Sequence, residues 1–94
     1  MARILVVEDD QKLNQIICTY LAKNNHQPTG CLNPTEAYQL LFSDRYDCII
    51  SDIMMPQQDG FAFAQTIRQQ DPAIPILFLT ALDDIASKRK GFLS

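Results

Sequence analysis

The chain has 94 residues, 47% of them hydrophobic and 20% charged, with a formal net charge of -3. That length supports one compact core and leaves no room for a second domain. The acidic balance argues against gripping nucleic acid or an anionic membrane, and no apolar run approaches the ~20 residues of a membrane span. Residues 1–30 lack the layout of a signal peptide, so a cytoplasmic location is the expectation. Cys18, Cys31 and Cys48 form no C-x-x-C and have no histidine at zinc spacing, which fits reduced thiols serving as core filler.

Ile4-Leu5-Val6-Val7 is a short aliphatic run of the kind found in strands buried on both faces. Leu13, Ile16, Ile17, Tyr20 and Leu21 then repeat at helical spacing, opposite Gln11, Lys12, Gln15 and Lys23. Asn24-Asn25 reads as a helix stop, and residues 27–31 as a weaker strand. Asn33-Pro34-Thr35-Glu36 predicts a helix start, with a capping asparagine, proline in the first turn and an acid placed for a capping box. Ala37, Leu40 and Leu41 form that helix's apolar stripe, with Tyr38 or Phe42 beside it. Cys48-Ile49-Ile50 predicts a third strand ending at Ser51-Asp52. Residues 53–60 contain turn formers, and residues 61–70 form a helix on Phe61, Ala64 and Ile67. Asp71-Pro72 ends it. Ile76-Leu77-Phe78-Leu79 is the fourth strand, residues 80–83 a loop, and a last helix starts near Asp84. Tyr20, Tyr38 and the phenylalanines sit on apolar stripes and are assigned to the core, and His26 to a structural or solvated role. The alternation of apolar strands with amphipathic helices predicts an α/β fold with a parallel sheet covered on both faces.

All strands of such a sheet end along one edge, where ligands bind. The first strand delivers Glu8, Asp9 and Asp10 there, the third Ser51 and Asp52, and the fourth Thr80. If the first and third strands are neighbours, at least three carboxylates converge. Such acids repel unless they share a proton or bind a cation, and an all-oxygen set suits Mg²⁺. In that pocket Asp52 is the candidate nucleophile toward phosphorus, and Thr80 a hydroxyl donor to a phosphoryl oxygen. The competing reading is that Asp9 or Asp10 only caps the next helix.

Residue identity adds to this. Ile4-Leu5-Val6-Val7-Glu8-Asp9-Asp10, Ser51-Asp52-Ile53-Met54-Met55-Pro56-Gln57-Gln58-Asp59-Gly60-Phe61 and Phe78-Leu79-Thr80-Ala81 resemble the CheY-like receiver domain of bacterial two-component response regulators. The resemblance runs through the whole chain, and D-x-x-M-P-x-x-D-G is its most specific piece. It implies a flavodoxin-like three-layer α/β/α fold, with strand order 2-1-3-4 for the part present here. It further implies that Asp52 accepts a phosphoryl group from a histidine kinase. Asp9, Asp52 and the Met54 backbone carbonyl would be direct Mg²⁺ ligands, with Glu8 contacting the ion through water. Thr80 would follow the phosphoryl group as a switch hydroxyl, while Pro56 and Gly60 would shape the loop presenting Met54. Asp10 and Asp59 are expected to be cap and turn residues.

The resemblance also implies a fifth β-α unit, whose strand carries a phosphoryl-pairing lysine and an aromatic switch residue. Residues 1–94 therefore read as a receiver domain incomplete at its C-terminal side, since Lys88, Arg89 and Lys90 fall on the predicted fourth helix instead. Without that lysine, phosphoryl transfer is expected to be slow. An uncovered fourth strand is expected to favour a homodimer or an element-exchanged assembly. The leading expectation is a signalling switch, not an enzyme, with transcription controlled through a DNA-binding output domain outside this chain. The alternative is a phosphorylation-incompetent fragment that acts only as a protein-interaction module. Aspartyl-nucleophile enzymes usually place a second acid two residues after the nucleophile, where Met54 stands. A flavin phosphate would be repelled by Glu8-Asp9-Asp10.

Overall fold

A computed structural model describes residues 1–55 and 58–79. Their elements are β1 (Arg3–Val7), α1 (Gln11–Lys23), β2 (Gln27–Cys31), α2 (Pro34–Ser43), β3 (Cys48–Asp52), α3 (Gly60–Gln70) and β4 (Ile76–Leu79). The four strands form one parallel sheet in the order β2-β1-β3-β4, as expected. Thr80, the loop after it and the helix predicted from Asp84 lie outside the described residues, as do Pro56 and Gln57.

Local chemistry sets the element ends. Asp10 caps α1 by accepting from the Leu13 amide at 3.1 Å, Asn33 caps α2 at Glu36, and Asp59 caps α3 at Ala62. The Glu36 carboxylate accepts from the Leu32 amide, one residue ahead of the cap. Helix α1 stops as predicted. Asn25 adopts φ 67, the His26 amide reaches back to Leu21 O, and the Asn25 amide to Ala22 O. This is a Schellman ending with asparagine in place of the usual glycine. His26 accepts from the Ala2 amide through Nδ1, a structural role that also ties the N-terminal segment down.

The main core lies between the sheet and the pair α2 and α3. It contains Leu5, Val7, Cys31, Ala37, Ile49, Met55, Phe63, Ile67 and Ile74. Alternation along β1 sends Ile4 and Val6 to the opposite face, where α1 packs. The helix faces correct several core assignments. Helix α3 buries Gly60, Phe63 and Ile67, leaving Phe61 exposed against Phe78 at a ring separation of 4.8 Å. Helix α1 buries Asn14 and turns Ile16 and Tyr20 to solvent, and Phe42 is 95% exposed. Tyr38 does pack inward, its ring 5.4 Å from that of Phe63. Apolar residues stood on two sides of these helices, and packing against the sheet selected one side.

Candidate functional site

Pairing of β1 with β3 brings Val7 beside Ser51, so the next residues of both strands meet at the same sheet edge. Glu8, Asp9 and Asp52 each offer a carboxylate oxygen there, and these atoms all lie within 4.8 Å of one another. Glu8 and Asp52 are buried and Asp9 is exposed, so the cluster opens to solvent from one side. The expected convergence of acids is observed.

Glu8 and Asp52 are held by backbone. The Glu8 amide donates to Cys31 O at 3.1 Å, extending the β1–β2 ladder by one residue. Its carboxylate accepts from the Asp10 amide, also at 3.1 Å. Asp52 Oδ1 accepts from the Met54 amide at 3.3 Å, which turns the chain sharply after β3. Gly60 closes that turn, its amide donating to Ile53 O at 2.6 Å. A Cβ at Gly60 would clash with the Asp52 carbonyl oxygen and lie 2.8 Å from Ile53 Cα. Glycine is needed here for close backbone approach, since its φ is not positive.

Burial and crowding shift the ionisation of the cluster. The Glu8 carboxyl is pushed up to about 8, first by burial and further by its hydrogen bonds to Asp9 and Asp52 and by the charge of Asp52. The Asp10 amide pulls the other way and is outweighed. A neighbouring cavity of about 330 Å³ is lined by Asp9, Met54, Met55 and Asp59, with no basic side chain among these residues. Three carboxylates with oxygens within 4.8 Å of one another, and no histidine or thiolate in the group among the described residues, match the donor set of a hard divalent ion such as Mg²⁺.

Of the sequence-predicted site residues, Glu8, Asp9 and Asp52 come together, and Met54 sits at the cavity beside Asp9. Thr80 falls outside the described residues. Asp10 and Asp59 act as caps, although Asp59 also faces the cavity. Sequence reasoning overlooked Met55, which lines the cavity, and Asn14, whose amide donates to the Glu8 carbonyl. A signal for Asn14 was present, because positions 14, 17 and 21 share one helix face.

Comparison with known proteins agrees with the fold. A family profile for the response regulator receiver domain matches residues 4–93. The chain is 35% identical over 79 residues to the transcriptional regulatory protein RprY of Bacteroides fragilis, covering 84% of this chain and 34% of RprY. It is 32% identical over 91 residues to the transcriptional regulatory protein SrrA of Staphylococcus aureus, covering 97% and 37% respectively. The chain thus spans about a third of the length of these curated relatives. Among solved structures, the response regulator TrrA of Thermotoga maritima, in complex with Mg²⁺–BeF, aligns with a TM-score of 0.82. That alignment has 34% identity and covers 86% of this chain and 70% of TrrA.

Proposed function

The chain belongs to the response regulator receiver family, and on that premise we propose that it is a phosphorylation-controlled switch of a two-component system. The observation that carries this reading is the convergence of Glu8, Asp9 and Asp52 at the sheet edge. In it, Asp52 accepts the phosphoryl group from a sensor histidine kinase. Asp9, Asp52 and the Met54 carbonyl hold Mg²⁺ directly, with Glu8 behind a water. When bound, the ion neutralises charge on the carboxylates and the incoming phosphoryl oxygens. Thr80 follows the phosphoryl group as the switch hydroxyl. The protein does not turn over a substrate, and its place is the cytoplasm. No described helix is long and apolar enough to cross a membrane. RprY and SrrA are transcriptional regulatory proteins, which supports a transcriptional output carried outside these 94 residues.

Titrating Mg²⁺ into the chain while following backbone amide shifts tests the pocket. One saturable site is expected, with shifts centred on Glu8, Asp9, Asp10, Asp52 and Met54. Shifts scattered over the surface, or none at these residues, would overturn the reading.

The reading extends to self-association. Leu77 is 58% exposed on β4, Phe78 is also exposed, and no further strand pairs with β4 among the described residues. An apolar strand edge of this kind templates pairing with a second copy. Light scattering at tens of micromolar is expected to give at least a dimer mass, and a monomer mass throughout would exclude it.

A further inference from the structure

Asn14 is a buried polar side chain in the middle of an otherwise apolar contact between α1 and the sheet. Its Nδ2 donates to Glu8 O at 3.1 Å and to Cys31 O at 2.9 Å. Both partners are carbonyls, so the orientation of the amide is fixed, and Oδ1 is left to accept from the Cys18 thiol at 3.5 Å. Cys31 O also receives the Glu8 amide. One side chain on α1 therefore ties the last residue of β2 to the residue that begins the acidic cluster.

A second feature serves the same arrangement. A Cβ on Gly30 would overlap Asn14 Oδ1 and come within 3.2 Å of Cys18 Sγ. Gly30 has no positive φ, so what it supplies is space for the carboxamide. Glycine in a strand often marks such a close approach.

We propose that Asn14, seated against Gly30, is a positioning residue for the metal site, clamping the Glu8 carbonyl so that the Glu8 and Asp9 carboxylates meet Asp52. This rests on the Mg²⁺ reading above. Among the described residues, the Glu8 carboxylate is otherwise steered by the Asp10 amide and its acidic neighbours. With the carbonyl released, the hydrogen bond from the Glu8 amide to Cys31 O is what still ties the start of this turn to β2, and the residues after it are free to rotate. Outer partners that orient metal ligands typically change affinity by about 10–100-fold when removed.

The experiment uses the full 94-residue chain, with Mg²⁺ as the probe and three variants. Asn14→Leu keeps the approximate size and removes both donors; Gly30→Ala displaces the carboxamide sterically; Asn14→Gln keeps the amide. Ile67→Val, on the opposite sheet face, controls for lost stability. Asn14→Leu and Gly30→Ala are expected to weaken Mg²⁺ binding about tenfold or more, with Asn14→Gln between them and the unaltered chain and Ile67→Val unchanged. Folded Asn14→Leu or Gly30→Ala binding Mg²⁺ as the unaltered chain does, or Ile67→Val weakening it equally, would overturn the proposal. If Asn14→Leu fails to fold, Gly30→Ala decides. Hydrogen exchange of the Glu8 and Asp10 amides in metal-free protein reads the clamp separately. Faster exchange in the variants without any Mg²⁺ binding by the unaltered chain would keep the clamp and sink the metal reading. Unchanged exchange would sink the clamp.

Discussion

An Asp52→Asn chain is expected to take up no phosphoryl group from a small acyl phosphate and Mg²⁺, whereas the unaltered chain slowly takes up one. In the transfer, a carboxylate oxygen of Asp52 bonds to phosphorus. The phosphorus–oxygen bond to the acyl group breaks, and the acyl carboxylate departs with the electron pair. An asparagine amide oxygen is uncharged and far less nucleophilic, so the substitution removes the step while preserving the shape of the side chain. It also removes a carboxylate charge from the cluster. At 4.8 Å two unit charges repel by about 3 kcal/mol for an effective dielectric near 20. The variant should bind Mg²⁺ more weakly. Intact mass detects the uptake. Hydroxylamine, which converts an acyl phosphate into a hydroxamate, locates it at residue 52. Equal uptake by the variant would remove Asp52 from the role.

The strands and the acidic cluster were legible because each depends on short stretches of sequence. Ile4-Leu5-Val6-Val7 is apolar on both faces, and the acids follow it directly, so finding the strand also finds the edge residues. Strand order was not readable from periodicity; it came from the resemblance carried by the Asp52 to Gly60 motif. Helix faces were the least legible level. Phe61 and Phe63 stand about 200° apart around α3, so apolarity alone does not choose between them. The sheet chose Phe63, which is fully buried against Tyr38. On α1 the buried position is Asn14, whose polarity reads as a solvated face until the carbonyls of Glu8 and Cys31 are placed beside it. A buried amide is satisfied by partners distant in sequence, and these are supplied by the sheet.

In chelator, the chain is expected to lose about 3 kcal/mol of stability as the pH rises from 5 to 8, and saturating Mg²⁺ should abolish most of that loss. The cause is Glu8. Its carboxyl is held at about 8 in the folded chain against an ordinary value of 4.5, chiefly by burial. Between those values the unfolded chain has released this proton and the folded chain still binds it. Folding there binds a proton, and stability falls as protons become scarce. Asp44 acts in the opposite sense at lower pH. Its pairing with Arg3 at 2.5 Å lowers its pKa, so that contribution disappears on acidification. Maximum metal-free stability should therefore lie in the mildly acidic range, at the lower end of the Glu8 window. Glu8→Gln separates Glu8 from other groups, because glutamine keeps the shape and cannot ionise. That variant should show a flat profile from pH 5 to 8 and exceed the parent in stability at pH 8 without metal. Binding of Mg²⁺ to the parent near pH 7 should release a proton, measurable as a buffer-dependent heat in calorimetry, and Glu8→Gln should lose that release. Urea unfolding in chelator provides the stability profile. Identical slopes for parent and Glu8→Gln would show that Glu8 is ionised in the folded chain and that the cluster carries its charge without a cation.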